Sequence, residues 1–212
     1  MRVVVYVEGI SDKLALESLL RPLLMTKRNV GVTIDFFEAP PGDKKKSVME
    51  KVPIKAVNIL RNDHEAVVVA LPDLYPMNKA FPHVSVQELS EGISRNFTRA
   101  LEAKGIADAR IVERFHVFCL KHDLEALVLA AEESLCRRLG ARHLVRNWVL
   151  PVENQNHDRP PRVVVEELFK EHGKRYVAKA DAPHILSSAS YTDIAARCPQ
   201  CFAPFVLFIE SM

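Results

Sequence analysis

Two short runs of apolar, largely β-branched residues constrain this chain more than any other feature. They are Val3-Val4-Val5-Tyr6-Val7 and Ala66-Val67-Val68-Val69-Ala70-Leu71, and both are followed almost at once by an acid. A strand that faces solvent on one side alternates apolar and polar residues, whereas a continuous apolar run suits a strand buried on both faces, as in a parallel sheet. Glu8-Gly9 follows the first run and Pro72-Asp73 the second. In an open parallel sheet, residues just beyond the carboxyl ends of the strands gather along one rim, where ligands bind.

Strand and helix patterns alternate around these runs. Ser11 offers an N-cap and Asp12 a first-turn acid for a helix to about residue 26, with an apolar face from Leu14, Leu16, Leu19, Leu20, Leu23 and Leu24. Val32, Ile34, Phe36 and Phe37 predict a strand over 31–38, after which Pro40-Pro41-Gly42 breaks structure. Ser47 is the expected cap of a helix to about Arg61, in which Pro53 imposes a kink or a late start. Further along, 85–104 reads as helix, 110–120 as strand, and an apolar helix opens at Lys121-His122-Asp123-Leu124-Glu125 and runs to about Leu139. The alternation predicts an α/β fold with a mostly parallel sheet flanked by helices. After Gly140 the pattern turns to short helices and a polar loop, Pro151 to Pro161, that contains Glu153-Asn154-Gln155-Asn156. The expected organisation is an α/β core over 1–139 with a helical C-terminal elaboration over 140–212 packed on it.

At 212 residues one sizeable core with an appendage is the natural size. The net charge of +2 says little about partners, but from Arg137 to Lys179 ten Lys and Arg residues, Arg146 among them, stand against five acids, among them Asp158. Such a stretch either lines a phosphate-binding face or forms ordinary solvated helix surfaces. No apolar run approaches the length of a membrane span, and the apolar start is too short for a secretory signal, so a cytoplasmic protein with no membrane association is expected. Four cysteines do not read as a disulfide framework. Cys198-Pro199-Gln200-Cys201 is a single CxxC, and a zinc site needs about four ligands, which Cys136 or His184 would have to complete.

The chemistry-bearing candidates lie at strand-to-helix junctions. Glu8 and Asp73 on neighbouring strands would bring two carboxylates together, beside a glycine that lets a ligand approach the backbone. Close carboxylates repel unless a cation sits between them, and Mg²⁺ takes one or two carboxylates plus water and phosphate oxygens. His122-Asp123-x-Glu125 would add ligands or a general base to the same rim, giving Glu8, Asp73, Asp123 and Glu125 as candidate metal ligands. Each acid also has a plainer use as an N-cap, a first-turn charge or a turn initiator. Lys44-Lys45-Lys46 either contacts phosphates or solvates a loop.

The order apolar strand, Glu8-Gly9-x-x-Asp12, helix, apolar strand, Asp73 resembles TOPRIM domains, which are shared by topoisomerases, primases, small RNA-maturation nucleases and OLD-family nucleases. More narrowly, the chain resembles a bacterial TOPRIM-like family of unknown function related to OLD-type nucleases. That likeness rests on Val7-Glu8-Gly9, Gly42-Asp43-Lys44, Leu71-x-Asp73-Leu74-Tyr75, His122-x-x-Glu125-Ala126-Leu127, Glu153-Asn154, Tyr176 and Cys198-Pro199. The resemblance implies a TOPRIM-like sheet, Glu8 as general acid/base or metal-contacting acid, and Asp73 as the first acid of an Asp-x-Asp metal motif. Tyr75 stands where the second acid belongs, so Asp123 or Glu125 would have to substitute. A late lysine that contacts the scissile phosphate corresponds to Lys179, with Lys174 as the alternative. The implied activity is a Mg²⁺- or Mn²⁺-dependent nuclease or phosphotransferase acting on DNA or RNA, in which Glu8, Glu125 and Lys179 are catalytic and Lys44, Lys45, Lys46, Lys174 and Arg175 hold phosphates. The expected setting is mobile-element defence or nucleic-acid processing, and the resemblance implies a separate ATPase as partner. The competing reading is a noncatalytic TOPRIM-like module that binds nucleic acid or protein, or else a small-molecule α/β enzyme using the same rim.

Overall fold

The computed structural model describes residues 1–76, 82–144, 148–154 and 159–212. Arg146, Gln155, Asn156 and Asp158 lie outside the described residues. The chain divides into two compact units: a sheet unit of Met1–Gly9, Leu24–Cys119 and Met212, and a helical unit of Ile10–Leu23 and Leu120–Ser211. This division differs from the boundary expected at 139. The helix that follows β1 and the whole stretch from Leu120 group together.

The sheet unit holds β1 (Arg2–Val7), β2 (Thr33–Glu38), β3 (Ala66–Leu71) and β4 (Phe115–Val117) in the order β2-β1-β3-β4. All three pairings are parallel. The two continuous apolar runs are the two inner strands: every residue from Val3 to Val7 and from Ala66 to Leu71 is buried. A strand flanked on both edges by neighbours and on both faces by packed elements has nowhere to place a polar side chain. On the edge strand β2 only Phe36 is buried. Because Val7 pairs with Leu71, β1 and β3 end level, and Glu8 and Asp73 emerge at one rim.

Several elements differ in extent from the sequence expectation, each for a local reason. The first helix is two, α1 (Ile10–Leu19) and α2 (Arg21–Asn29), so Ser11 lies inside α1 instead of capping it. Pro22 sits at the start of α2, where the missing N–H costs nothing. Asp43, not Ser47, caps the next helix: its carboxylate accepts the Lys46 N–H at 2.9 Å and opens α3 (Lys44–Lys46). A π-helical turn over Ser47–Lys51 then leads into α4 (Val52–Asn62), with Pro53 in its first turn. Ser85 caps α5 (Val86–Glu102), its hydroxyl accepting the Glu88 N–H. The strand read over 110–120 is only partly strand: its start is a short helix, α6 (Ala109–Val112), begun by the Asp108 cap, and the strand β4 is Phe115–Val117.

The helical unit comprises α1, α7 (Glu125–Ala130), α8 (Glu132–Leu139), α9 (Pro161–Glu171), α10 (Ala178–Leu186), α11 (Tyr191–Arg197) and α12 (Phe202–Ser211). Helix α7 is buried throughout, and α1 packs along α10. Helix α8 ends at Gly140, whose φ of 78° is the left-handed conformation that closes a helix. Among the described residues no helix is long and apolar enough to cross a membrane.

Candidate functional site

In the sheet unit, Glu8 follows β1 and Asp73 follows β3, and the two are joined directly. The Asp73 backbone N–H donates to Glu8 Oε1 at 3.0 Å. Lys45 comes to the same place from the N-terminal turn of α3. It is only 7% exposed, and its ammonium donates to the backbone carbonyls of Leu74, at 2.8 Å, and Pro76. Burial lowers its pKa, opposed first by the charge of Glu8 and then by that of Asp73. Gly9 completes the rim: a Cβ there would come within 3.0 Å of Lys44 Nζ, so the absence of a side chain lets Lys44 lie over the backbone.

The lysine cluster read as a phosphate-binding loop therefore needs correction. Lys45 points inward and its ammonium is spent on the carbonyls of Leu74 and Pro76, so it does not present its charge to a nucleic acid. Lys44 and Lys46 are exposed, and Lys46 lies 4.0 Å from Glu50 one helical turn on. Tyr75, at the position where the resemblance calls for an acid, uses its hydroxyl to donate to the Val84 carbonyl at 3.1 Å. His83 is buried with Nε2 3.3 Å from the Leu74 carbonyl, which also receives Lys45. Residues 73–76 are thus held by internal polar contacts.

In the helical unit, Asp123 and Glu125 stand together at the start of α7. Asp123 does not cap its own helix; its Oδ2 accepts the Arg162 N–H at 3.3 Å in the first turn of α9. Its other oxygen, Oδ1, is shut off from solvent and has no hydrogen-bond partner among the described residues. Burial, then the charge of Glu125, pushes the Asp123 carboxyl up to about 7. Glu125 is 3% exposed and is likewise raised, first by burial. Arg162 opposes both shifts, while the charge of Asp12 adds to that of Glu125. The Tyr176 hydroxyl is buried beside Glu125, outside ordinary hydrogen-bond geometry, and burial and the neighbouring carboxylates raise its pKa. His122 is buried next in sequence.

Much of the basic excess of the C-terminal stretch is internally engaged. Arg138 donates twice to Oδ1 of buried Asp181, whose Oδ2 accepts the Val177 N–H. Lys174 donates to the carbonyls of Arg138 and Leu139 at the end of α8, where a cation complements the helix dipole. Arg162 pairs with Glu166 and Arg159 with Glu167. Arg175 and Lys179 are exposed, the latter in the first turn of α10.

Glu153 and Cys198-Pro199 have structural work. The Glu153 carboxylate is 2% exposed and accepts the N–H groups of Gln200, Cys201 and Phe202, covering the start of α12. Nothing in the sequence near Glu153 advertises a partner forty-eight residues away. Cys198 and Cys201 are buried thiols not joined in a disulfide, and burial raises the Cys198 thiol. Among the described residues no group of three or more His, Cys, Asp or Glu side chains is gathered to hold a metal ion. Of the four candidate carboxylates, Glu8 and Asp73 belong to the sheet unit and Asp123 and Glu125 to the helical unit.

A four-stranded parallel sheet with an acid beyond each inner strand, and a helical unit with its own buried carboxylate pair, define an α/β protein built around junction acids. The chain belongs to the family described as domain of unknown function (DUF4276), whose model matches residues 7–210. It is similar in structure to the C-terminal region of the Burkholderia pseudomallei OLD protein, at 14% identity, with 99% of this chain and 97% of that one covered and a TM-score of 0.49. It is also similar to the C-terminal region of the Xanthomonas campestris pv. campestris OLD protein, at 15% identity, covering 99% and 96%, with a TM-score of 0.43. No curated protein matches the chain.

Proposed function

We propose that this protein is a divalent-metal-dependent phosphodiesterase acting on DNA or RNA, with Asp123 and Glu125 as the cation seat. The observation that carries this reading is Asp123 Oδ1, a buried carboxylate oxygen with no hydrogen-bond partner among the described residues, beside a second buried carboxyl. An unsatisfied acceptor in such a place costs free energy unless something binds it. Mg²⁺ and Mn²⁺ suit a seat of this kind, because a hard cation takes one or two carboxylates and completes its shell with water and phosphate oxygens. When bound, the cation supplies charge for a phosphate in the transition state and lowers the pKa of a water.

The chain's own residues do the rest. Asp123 and Glu125 hold the negative charge that a cation neutralises, and Arg162 sits near both as a fixed positive group. Lys179, exposed three residues beyond Tyr176, is assigned to the phosphate on the leaving side. Arg175 and Lys44 supply sequence-independent phosphate contacts, which makes binding fall with salt. A separate ATPase partner and a role in mobile-element defence belong to this reading as its biological setting.

One observation favours a second reading, a noncatalytic module that binds nucleic acid or protein: at the sheet rim, Lys45 and Tyr75 satisfy the groups that a catalytic site would leave open. Plasmid, single-stranded DNA and RNA incubated with Mg²⁺ or Mn²⁺ separate the two. The enzyme reading expects cleavage that falls at least about a hundredfold in Asp123→Asn and Glu125→Gln. Cleavage that persists in both rejects the seat. Metal-independent retention of nucleic acid with no cleavage establishes the binding module instead.

A further inference from the structure

The sheet rim holds two acids from neighbouring strands, the arrangement that ordinarily calls for a divalent cation. Here a side chain of the same unit reaches that place. Lys45 is buried, and its ammonium is fixed by the carbonyls of Leu74 and Pro76, which flank Tyr75 immediately after Asp73. Glu8 is in turn tied to the Asp73 backbone. An ammonium carries three donors and no acceptor, so with two of them on carbonyls it is held as a fixed positive charge in a pocket of oxygens. Burying that charge is tolerable only where anions compensate it, and Glu8 and Asp73 are the first two charges acting on it. The surroundings of Lys45 also favour its position in the chain: the Asp43 cap and the glycine before it, with φ of 136°, turn the backbone into α3 so that Lys45 is buried at the rim, while Lys44 lies exposed over Gly9 and Lys46 is exposed to solvent.

We infer that Lys45 is the resident cation of the Glu8–Asp73 pair, so that this rim is charge-balanced by the protein itself and takes no divalent metal. Lys45 is then a positioning residue: it fixes the Glu8 carboxylate and the segment Leu74–Pro76 in place. The inference does not rest on the cation seat assigned to Asp123 and Glu125, and its test separates the two.

The test uses substitutions that remove charge while keeping shape, measured as thermal unfolding of the full chain in metal-free buffer with a chelator. Glu8→Gln still accepts the Asp73 N–H, so only the charge is lost. If Lys45 is the partner, Glu8→Gln and Asp73→Asn each leave a buried ammonium less compensated, and Tm falls by roughly 5 °C. If the two acids are instead an empty metal seat, neutralising either relieves repulsion and Tm rises; a rise or an unchanged Tm overturns the inference. Mn²⁺ titration followed by electron paramagnetic resonance gives an independent reading. Lys45→Met is expected to gain a Mn²⁺ site that the unaltered protein lacks, and Glu8→Gln in that background to remove it again. A Lys45→Met protein that gains no site, or a loss of Mn²⁺ from the unaltered chain on Glu8→Gln alone, overturns the inference. An unaltered protein that binds no Mn²⁺ while Lys45→Met gains it supports Lys45 as resident cation and sinks the Asp123–Glu125 seat instead.

Discussion

The two carboxylate pairs of this protein are chemically alike and electrostatically opposite. Glu8 and Asp73 share a backbone hydrogen bond and have a buried ammonium among them, so their negative charge is met within the fold. Burial raises the pKa of both Asp123 and Glu125, and their nearby cation, Arg162, is exposed and already paired with Glu166. One oxygen of Asp123 has no partner at all among the described residues. The difference teaches that acids placed at equivalent strand-to-helix junctions do not inherit equivalent roles. What decides is whether the surrounding chain already supplies the compensating charge.

The comparison breaks most visibly at Lys45. Lys45→Met should destabilise the protein by about 3 kcal/mol, because removing one partner leaves two carboxylates facing each other. Chemical denaturation at neutral pH checks this, and a loss under about 1 kcal/mol would mean that the ammonium is a bystander. The second prediction sharpens the other side. The Asp123 carboxyl titrates near 7 in the folded chain against the ordinary 3.8, so the folded state holds its proton more tightly than the unfolded one. Stability from this group is full below about pH 4, declines as pH rises to about 7, and is flat above. The loss is on the order of 4 kcal/mol in metal-free buffer. Asp123→Asn should flatten that slope between pH 4 and 7, as read by denaturant unfolding at a series of pH values.

Two smaller effects test the supports of each unit. Glu153→Ala removes an acceptor for three N–H groups at the start of α12 and should cost about 2 kcal/mol, with Glu153→Gln recovering part of it. Asp43→Ala, which deletes the cap that aims Lys45 at the rim, should cost about 1 kcal/mol. The cap substitution is expected to couple with Lys45→Met in a double-mutant cycle, whereas Glu153→Ala, in the other unit, is expected to add independently.

Much of the fold was legible because the inner strands announce themselves. The continuous apolar runs of β1 and β3 admit few alternatives, and both strands end where the apolar run ends. The edge strand β4 was overread, since Ile111 and Phe115 to Cys119 alternate like a strand while Asp108 caps a helical turn within the same stretch. The division into units was not legible either. Nothing in the spacing of α1 says that its apolar face meets α10, more than a hundred and fifty residues later. Of the site residues, the pairing of Glu8 with Asp73 and of Asp123 with Glu125 follows from position relative to strands and helices. Lys45 was named for the wrong face, because three adjacent lysines look equivalent in sequence. Only the cap at Asp43 distinguishes the one that turns inward.

The most direct measurement of the central claim is Mg²⁺-dependent thermal stabilisation at pH 8, with the unaltered protein, Asp123→Asn and Glu8→Gln compared side by side. The account predicts that Mg²⁺ raises the Tm of the unaltered protein and of Glu8→Gln by the same amount, and leaves Asp123→Asn unmoved. A Mg²⁺ response that survives in Asp123→Asn and disappears in Glu8→Gln would contradict it.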